Sequence, residues 1–266
     1  MFKFAEQLKE AMRGTITYCI EKNQLYLFEQ GIWDELFDIE AMEKLVNLLP
    51  DTKKFSTSTR EQILKDLKML VKNRLKNFNV NGKLNLVNGL FDPWMQTLEP
   101  HTPKVLSTIR LNYKYDLDAR CELWLKTLNE ILENDQKKIR ILQEFFGYCL
   151  TRDTRMEKAM LLTGESRTGK STILNTLRAV VGKENCSSVS VKKLSDETYT
   201  VHLMNKLVNI DTDVSGQSKD FEASFKTITT GEPVVCSPKY IPTFTFSPYC
   251  KLVMAANTFP RITDHS

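Results

Sequence analysis

Residues 164–171 read Gly-Glu-Ser-Arg-Thr-Gly-Lys-Ser, which is the pattern G-x-x-x-x-G-K-[ST], and a chain carrying it is tightly restricted in how it can fold around it. The pattern cradles a triphosphate only if a buried strand delivers the chain to the loop and a helix starts directly after it. Backbone N–H groups then converge on one point, with the helix N-terminus behind them. Both flanks are legible. Ala159–Leu162 is a short apolar run that predicts a buried strand, and Ser171–Val181 places Ile173, Leu174, Leu177, Val180 and Val181 at helical spacing. In such a cradle the N–H groups of Gly164, Glu165, Ser166, Arg167, Thr168 and Gly169 surround the phosphate tail. Lys170 bridges the β- and γ-phosphates, Ser171 supplies a hydroxyl to Mg2+, and Thr172 lies near the α-phosphate.

Hydrolysis needs more than a cradle, because an acid must hold the metal and orient the attacking water. Leu207–Ile210 predicts a second strand, and it runs into Asp211-Thr212-Asp213. Two carboxylates two residues apart at a strand end share one face, where both can serve a metal. A third apolar run, Leu252–Ala256, ends in Asn257-Thr258, and an amide there can polarise the attacking water and sense the γ-phosphate.

Around these segments the chain divides into two parts by texture. Residues 1–150 read as a mainly helical region, with strand-like runs only near Thr15–Leu27. Ser58 and Glu61 have capping-box spacing at the head of one helix, and Ile139, Leu142, Phe146, Cys149 and Leu150 share a face of another. In residues 151–266 short apolar runs, Thr243–Phe246 among them, alternate with helical stretches, the signature of an α/β core built on a parallel sheet. Net charge is +4 and is concentrated: Asp51–Lys76 holds eight Lys or Arg against three acids. That segment could touch nucleic acid or an acidic partner, but Ile63, Leu67, Leu70 and Val71 recur at helical spacing, so a solvated helix face is the preferred reading. With 41% apolar and 26% charged residues and no membrane-length apolar run, the expected setting is the cytoplasm. The six cysteines form no C-x-x-C pair and do not indicate a zinc site or a disulfide framework.

Taken in order, the phosphate loop, the acidic strand, Gly231-Glu232 with Pro238-Lys239-Tyr240, and the strand ending in Asn257 resemble a superfamily 3 helicase of the AAA+ class, in particular the helicase part of phage and plasmid primase-helicases. NLVNGLFD (85–92), Pro100-His101-Thr102-Pro103, Asn112-Tyr113-Lys114-Tyr115-Asp116 and LQEFFGYCL (142–150) resemble the helical region that precedes the motor in that family. The resemblance implies an AAA+ type P-loop NTPase core and an ATP- and Mg2+-dependent DNA translocase of phage or plasmid replication. It also implies a homo-oligomeric, hexameric ring that acts on single-stranded or forked DNA, together with replication proteins. It further makes Asp213 the metal-side acid ahead of Asp211, Asn257 the first sensor, and Glu232–Phe246 a hairpin projecting into the ring channel. At its tip Lys239 would grip a DNA phosphate and Tyr240 would stack on a base. The chain departs from the family in having Ser166 and Thr168 inside the loop, and in ending at Ser266 before the arginine-containing segment that serves a neighbour's ATP, with Arg261 given no such role. Incompleteness at the C-terminus is therefore expected, with weak turnover. A small-molecule kinase is disfavoured because only lysines (Lys219, Lys226, Lys239, Lys251) occur between Asp213 and Asn257, and a GTPase because Asn205-Lys206-Leu207-Val208 lacks the aspartate of N-K-x-D. An ATP-binding switch or assembly module with little turnover is the alternative.

Overall fold

In the computed structural model, residues 1–80, 82–214, 219–239 and 242–258 are described, with backbone alone for 219–222. The chain separates into two compact units, Met1–Asn81 with Val87–Arg110, and Gly82–Leu86 with Leu111–Ser266.

The first unit contains α1 (Phe2–Ala11), β1 (Ile16–Cys19), β2 (Gln24–Glu29), β3 (Ile32–Leu36), α2 (Asp38–Leu48), α3 (Thr57–Leu70) and β4 (Lys72–Asn73). Its sheet has the order β3-β2-β1-β4, antiparallel except for the β1–β4 pair. Successive side chains of a strand leave on opposite faces, and the sheet uses both. Leu25 and Leu27 join Ala5, Leu8, Leu45, Ile63 and Leu67 of the three helices, whereas Tyr26 joins Cys19, Trp33 and Phe78. The apolar stripe of the basic segment is thus core, and Lys68 of that segment pairs with Asp38 at 2.8 Å. Ser56, rather than Ser58, caps α3: its hydroxyl accepts the Thr59 N–H at 3.2 Å. The short strand β5 (Leu84–Leu86) belongs to the second unit, and β6 (Gly89–Asp92) forms a hairpin with β7 (Thr97–Glu99) in the first. NLVNGLFD is therefore extended chain where a helical region was expected. Its two apolar pairs, too short for a helical stripe, fit strands of three and four residues.

The second unit begins its main body with α4 (Glu122–Ile131) and α5 (Gln136–Cys149), and continues through β8 (Met160–Thr163), α6 (Lys170–Val181), β9 (Cys186–Ser187), α7 (Glu197–Thr200), β10 (Val208–Asp211), α8 (Lys219–Thr230), β11 (Val234–Cys236), β12 (Phe244–Phe246) and β13 (Lys251–Ala256). Four of these strands form a wholly parallel sheet of order β8-β13-β10-β9. A parallel strand covered on both faces reads as an unbroken apolar run, and every residue of β13 is buried. Thr243–Phe246 does not join this sheet, because β12 pairs antiparallel with β11. The partition between units falls after Arg110 rather than at 150. The reason is apolar: Leu128, Ile139 and Leu142 of α4 and α5 bury themselves with Ile173 of α6, and Met160 and Leu162 of β8 pack against them.

At the start of β13 the sheet encloses a cation. Lys251 is buried, with its Nζ donating to the carbonyls of Thr151 (2.5 Å) and Tyr249 (3.1 Å) and lying 4.5 Å from the Tyr148 ring centre. Burial pushes its ammonium down to about 8 from an ordinary 10.5, with Cys149, Cys250 and Asp153 opposing the shift and Arg152 adding to it. The unfolded lysine keeps its proton up to its ordinary range, so raising pH through 8 relieves a penalty that only the folded chain bears, and stability from this group rises. Cys149 and Cys250, which burial holds at about 12, act the other way as their unfolded counterparts ionise near 9. The lysine's share is isolated by difference. Between pH 8 and 9, wild type is expected to gain about 1 kcal/mol relative to Lys251→Met in urea unfolding. Parallel pH profiles would show that the lysine is not the titrating group.

Candidate functional site

All four strands of the second sheet run the same way, so the segments that leave their carboxyl ends gather along one edge, which is where open parallel sheets bind ligands. Register fixes the order there. Thr163 is level with Ala256, and Met254 is level with both Leu161 and Asp211. The Val214 N–H continues the β10–β13 pairing by donating to the Ala255 carbonyl at 2.9 Å. The phosphate loop therefore leaves β8, Asn257 leaves the adjacent β13, and Asp211 to Asp213 leave the next strand, β10, with the asparagine strand between loop and acids.

The loop turns where its residue types allow. Gly164 has φ +153 and Gly169 φ +88, and a Cβ on Gly169 would stand 2.6 Å from Ile131 Cδ1, so the end of α4 packs hard against the loop. Arg167 also takes a positive φ, +67. Thr168 Oγ1 donates to the Glu165 carbonyl at 2.8 Å, closing the turn. Gly169 is the N-cap of α6, and no side chain caps that helix, which leaves its first N–H groups open to an external acceptor. Lys170 folds back onto the loop, its Nζ donating to the carbonyls of Gly164 (2.5 Å) and Glu165 (2.7 Å). Glu165, Ser166, Arg167, Thr168, Ser171 and Thr172 are exposed. Beside the loop opens a cavity of about 490 Å³, lined by Gly164, Thr168 and Lys170 of the loop and by apolar residues that include Ile131, Leu132 and Ile141. These donors, positive backbone angles and open N–H groups fit a phosphate tail with its metal.

The two acids differ in surroundings. Asp211 is half-buried and its Oδ2 accepts the Val191 N–H at 2.8 Å, with a longer bond of 3.4 Å from the Asp213 N–H to Oδ1. Asp213 is exposed and its carboxylate accepts no hydrogen bond among the described residues. Asn257 is exposed at the end of β13. Within Glu232–Phe246, where a hairpin was expected, β11 and β12 pair antiparallel, and β11 and the residue after it are anchored on α7 by Ser237 Oγ donating to Glu197 Oε2 at 2.7 Å and Thr200 Oγ1 donating to the Val235 carbonyl at 3.1 Å. Lys239 is exposed; Tyr240 lies outside the described residues, as does Arg261. Sequence reading missed the apolar wall from α4 and α5, because Ile131 and Leu132 precede the loop by more than thirty positions and look like ordinary helix core.

Residues 5–133 match the family model described as "D5 N terminal like", and residues 162–266, which contain the whole loop motif, both acids and Asn257, match the "Family of unknown function (DUF5906)". No curated protein matches the chain. Among solved structures the chain is similar to the apo NrS-1 C terminal region (305-718), at 14% identity and a TM-score of 0.65, over 98% of this chain and 59% of that one. The A form of the apo NrS-1 C terminal region gives 14% identity and a TM-score of 0.62, over 96% and 56% respectively. The likeness shows a shared fold, and this chain spans less than two thirds of those structures. Among the described residues no helix is long and apolar enough to cross a membrane.

Proposed function

We propose that this chain carries the ATP site of a DNA-translocating motor of phage or plasmid replication, of the superfamily 3, AAA+ kind. One observation supports this reading above the others: the phosphate loop, Asn257 and the Asp211–Asp213 pair leave the carboxyl ends of three neighbouring parallel strands, with the amide between cradle and acid. The loop N–H groups and the uncapped start of α6 hold the phosphates, and Lys170 exchanges its two loop carbonyls for phosphate oxygens. The apolar cavity walls take the base. Ser171 and Asp213 are the residues that hold Mg2+, which when bound neutralises charge developing on the phosphates. Asn257 orients the water that attacks. Lys239, exposed beyond β11, contacts the DNA backbone in this reading, and Tyr240 is the residue that stacks on a base. A ring of copies is the assembly this reading entails.

Steady-state ATPase with and without single-stranded DNA tests the reading. Wild type is expected to be stimulated by DNA, and Lys239→Ala to lose about tenfold of that stimulation, the effect of one charged contact. Equal loss with and without DNA would make Lys239 structural. ATP binding without turnover, under either condition, would replace the motor by a switch.

A further inference from the structure

The opposite edge of the parallel sheet holds a second polar cavity, which the ATP site does not use. β9 is its last strand, three strand spacings or roughly 14 Å from β8. Against β9 the chain from Ser188 to Lys206 folds around a cavity of about 450 Å³, lined among others by Ser188, Ser190, Lys193, Tyr199, His202 and Lys206. Among the described residues, no carboxylate lines it. The acids nearby are already engaged: the Asp196 carboxylate accepts the N–H and hydroxyl of Thr198, that of Glu197 accepts the Ser237 hydroxyl, that of Asp211 accepts the Val191 N–H, and that of Glu184 accepts a bond from Asn112.

The basic groups are arranged around an aromatic surface. Lys193 Nζ donates to Tyr199 Oη at 2.9 Å and lies 4.3 Å from that ring's centre, and the His202 ring stands 6.4 Å from it. Lys206 Nζ donates to the Glu184 backbone carbonyl at 2.5 Å. The hydroxyls of Ser188 and Ser190 and the imidazole of His202 make no hydrogen bond among the described residues. Two ammonium groups, two open hydroxyls and an imidazole form a donor-rich lining that suits a phosphate. The volume exceeds what a phosphate alone fills, and the Tyr199–His202 pair offers a face on which a base or sugar can lie.

We propose that this cavity binds the phosphate backbone of a single-stranded nucleic acid, with a phosphate between Lys193 and Lys206 and the adjoining nucleoside against Tyr199 and His202. The inference shares with the motor reading the choice of DNA as partner, and it requires no nucleotide turnover. A strand held here and at Lys239 is contacted at two points, because β11, which precedes Lys239, is anchored on α7, the helix that also supplies Tyr199.

The test is fluorescence anisotropy of a labelled single-stranded oligonucleotide, without ATP, across a salt series. Lys193→Ala is expected to weaken binding about tenfold and to lower the magnitude of the log K against log salt slope by about 0.7, one phosphate contact on a single strand. Lys193→Arg restores the charge and most of the affinity. Lys65→Ala, which removes an exposed charge from α3, leaves affinity at the wild-type level. Tyr199→Ala is paired with a melting curve, so that lost affinity at an unchanged Tm reports the stacking face. Wild-type affinity and slope in folded Lys193→Ala would overturn the proposal. Full displacement of the oligonucleotide by AMP or inorganic phosphate at a few times its own concentration would overturn it too, by making the cavity a site for a free nucleotide. ATPase measured on the same preparations separates the two readings: absent turnover with Lys193-dependent binding sinks the motor alone, and DNA-stimulated turnover with Lys193-independent binding sinks this site alone.

Discussion

Lys170→Ala is expected to reduce ATP hydrolysis by about 10²- to 10³-fold, the usual cost of deleting one preorganised charge at a centre where negative charge develops. The fold should survive, because what Lys170 Nζ contributes to it is two hydrogen bonds to loop carbonyls, those of Gly164 and Glu165, in a loop already open to water. Released carbonyls are solvated, the loss stays near 1 kcal/mol, and Tm falls by about 2–4 °C. Binding is read separately. ATP at 100 times its dissociation constant stabilises the wild-type chain by about 2.7 kcal/mol, and the variant should show little of that gain at the same concentration. Lys170→Arg is not a conservative control. A rigid planar fork cannot take the place of a point charge that swings from the loop carbonyls to a phosphate. Unchanged turnover in folded Lys170→Ala would remove the loop from the chemistry, and the motor with it.

How much of this was legible from sequence depends on how local the cause is. The loop and its flanks were legible because each part is enforced by neighbours: an apolar run makes β8, glycines permit the positive backbone angles at 164 and 169, and a 3.6-residue stripe makes α6. Strand ends shifted by one residue, to Met160–Thr163 and Val208–Asp211. The hairpin was implied by the family resemblance, and the antiparallel pairing of β11 with β12 agrees with it. What sequence could not show is set by long-range packing. Ile131 touches the loop only because α4 and α5 dock on β8 and α6, so residues 111–150 sort with the second unit although their helical texture matches what precedes them. The β-structure between Ile16 and Glu99 was under-read since its strands run two to six residues and carry acids, as in Ile32–Leu36, which blurs a period of two. The cavity beside β9 draws on Ser188 through Lys206, nineteen positions with no motif, brought together by irregular turns.

Asp213→Asn is expected to abolish most turnover, by about 10²- to 10³-fold, while leaving ATP-dependent stabilisation largely in place. Asp211→Asn is expected to cost less than about tenfold. The two residues have the same chemistry and sit two apart, so only their partners can separate them. Asp211 is committed to the fold: its Oδ2 fixes the turn after β9 through the Val191 N–H, one step beyond the buried Asn209, whose Oδ1 likewise accepts the Val189 N–H at 2.8 Å. An asparagine at 211 keeps an amide oxygen for Val191, so the turn holds and only a formal charge is lost. Asp213 has no such tie among the described residues, and in the proposed site its open carboxylate would serve a metal held with Ser171. Measuring both variants side by side, by turnover and by the ATP-induced rise in Tm, decides the order. A deeper loss of turnover in Asp211→Asn than in Asp213→Asn, with both chains folded, would move the catalytic acid to 211 and make the Val191 hydrogen bond the device that orients it.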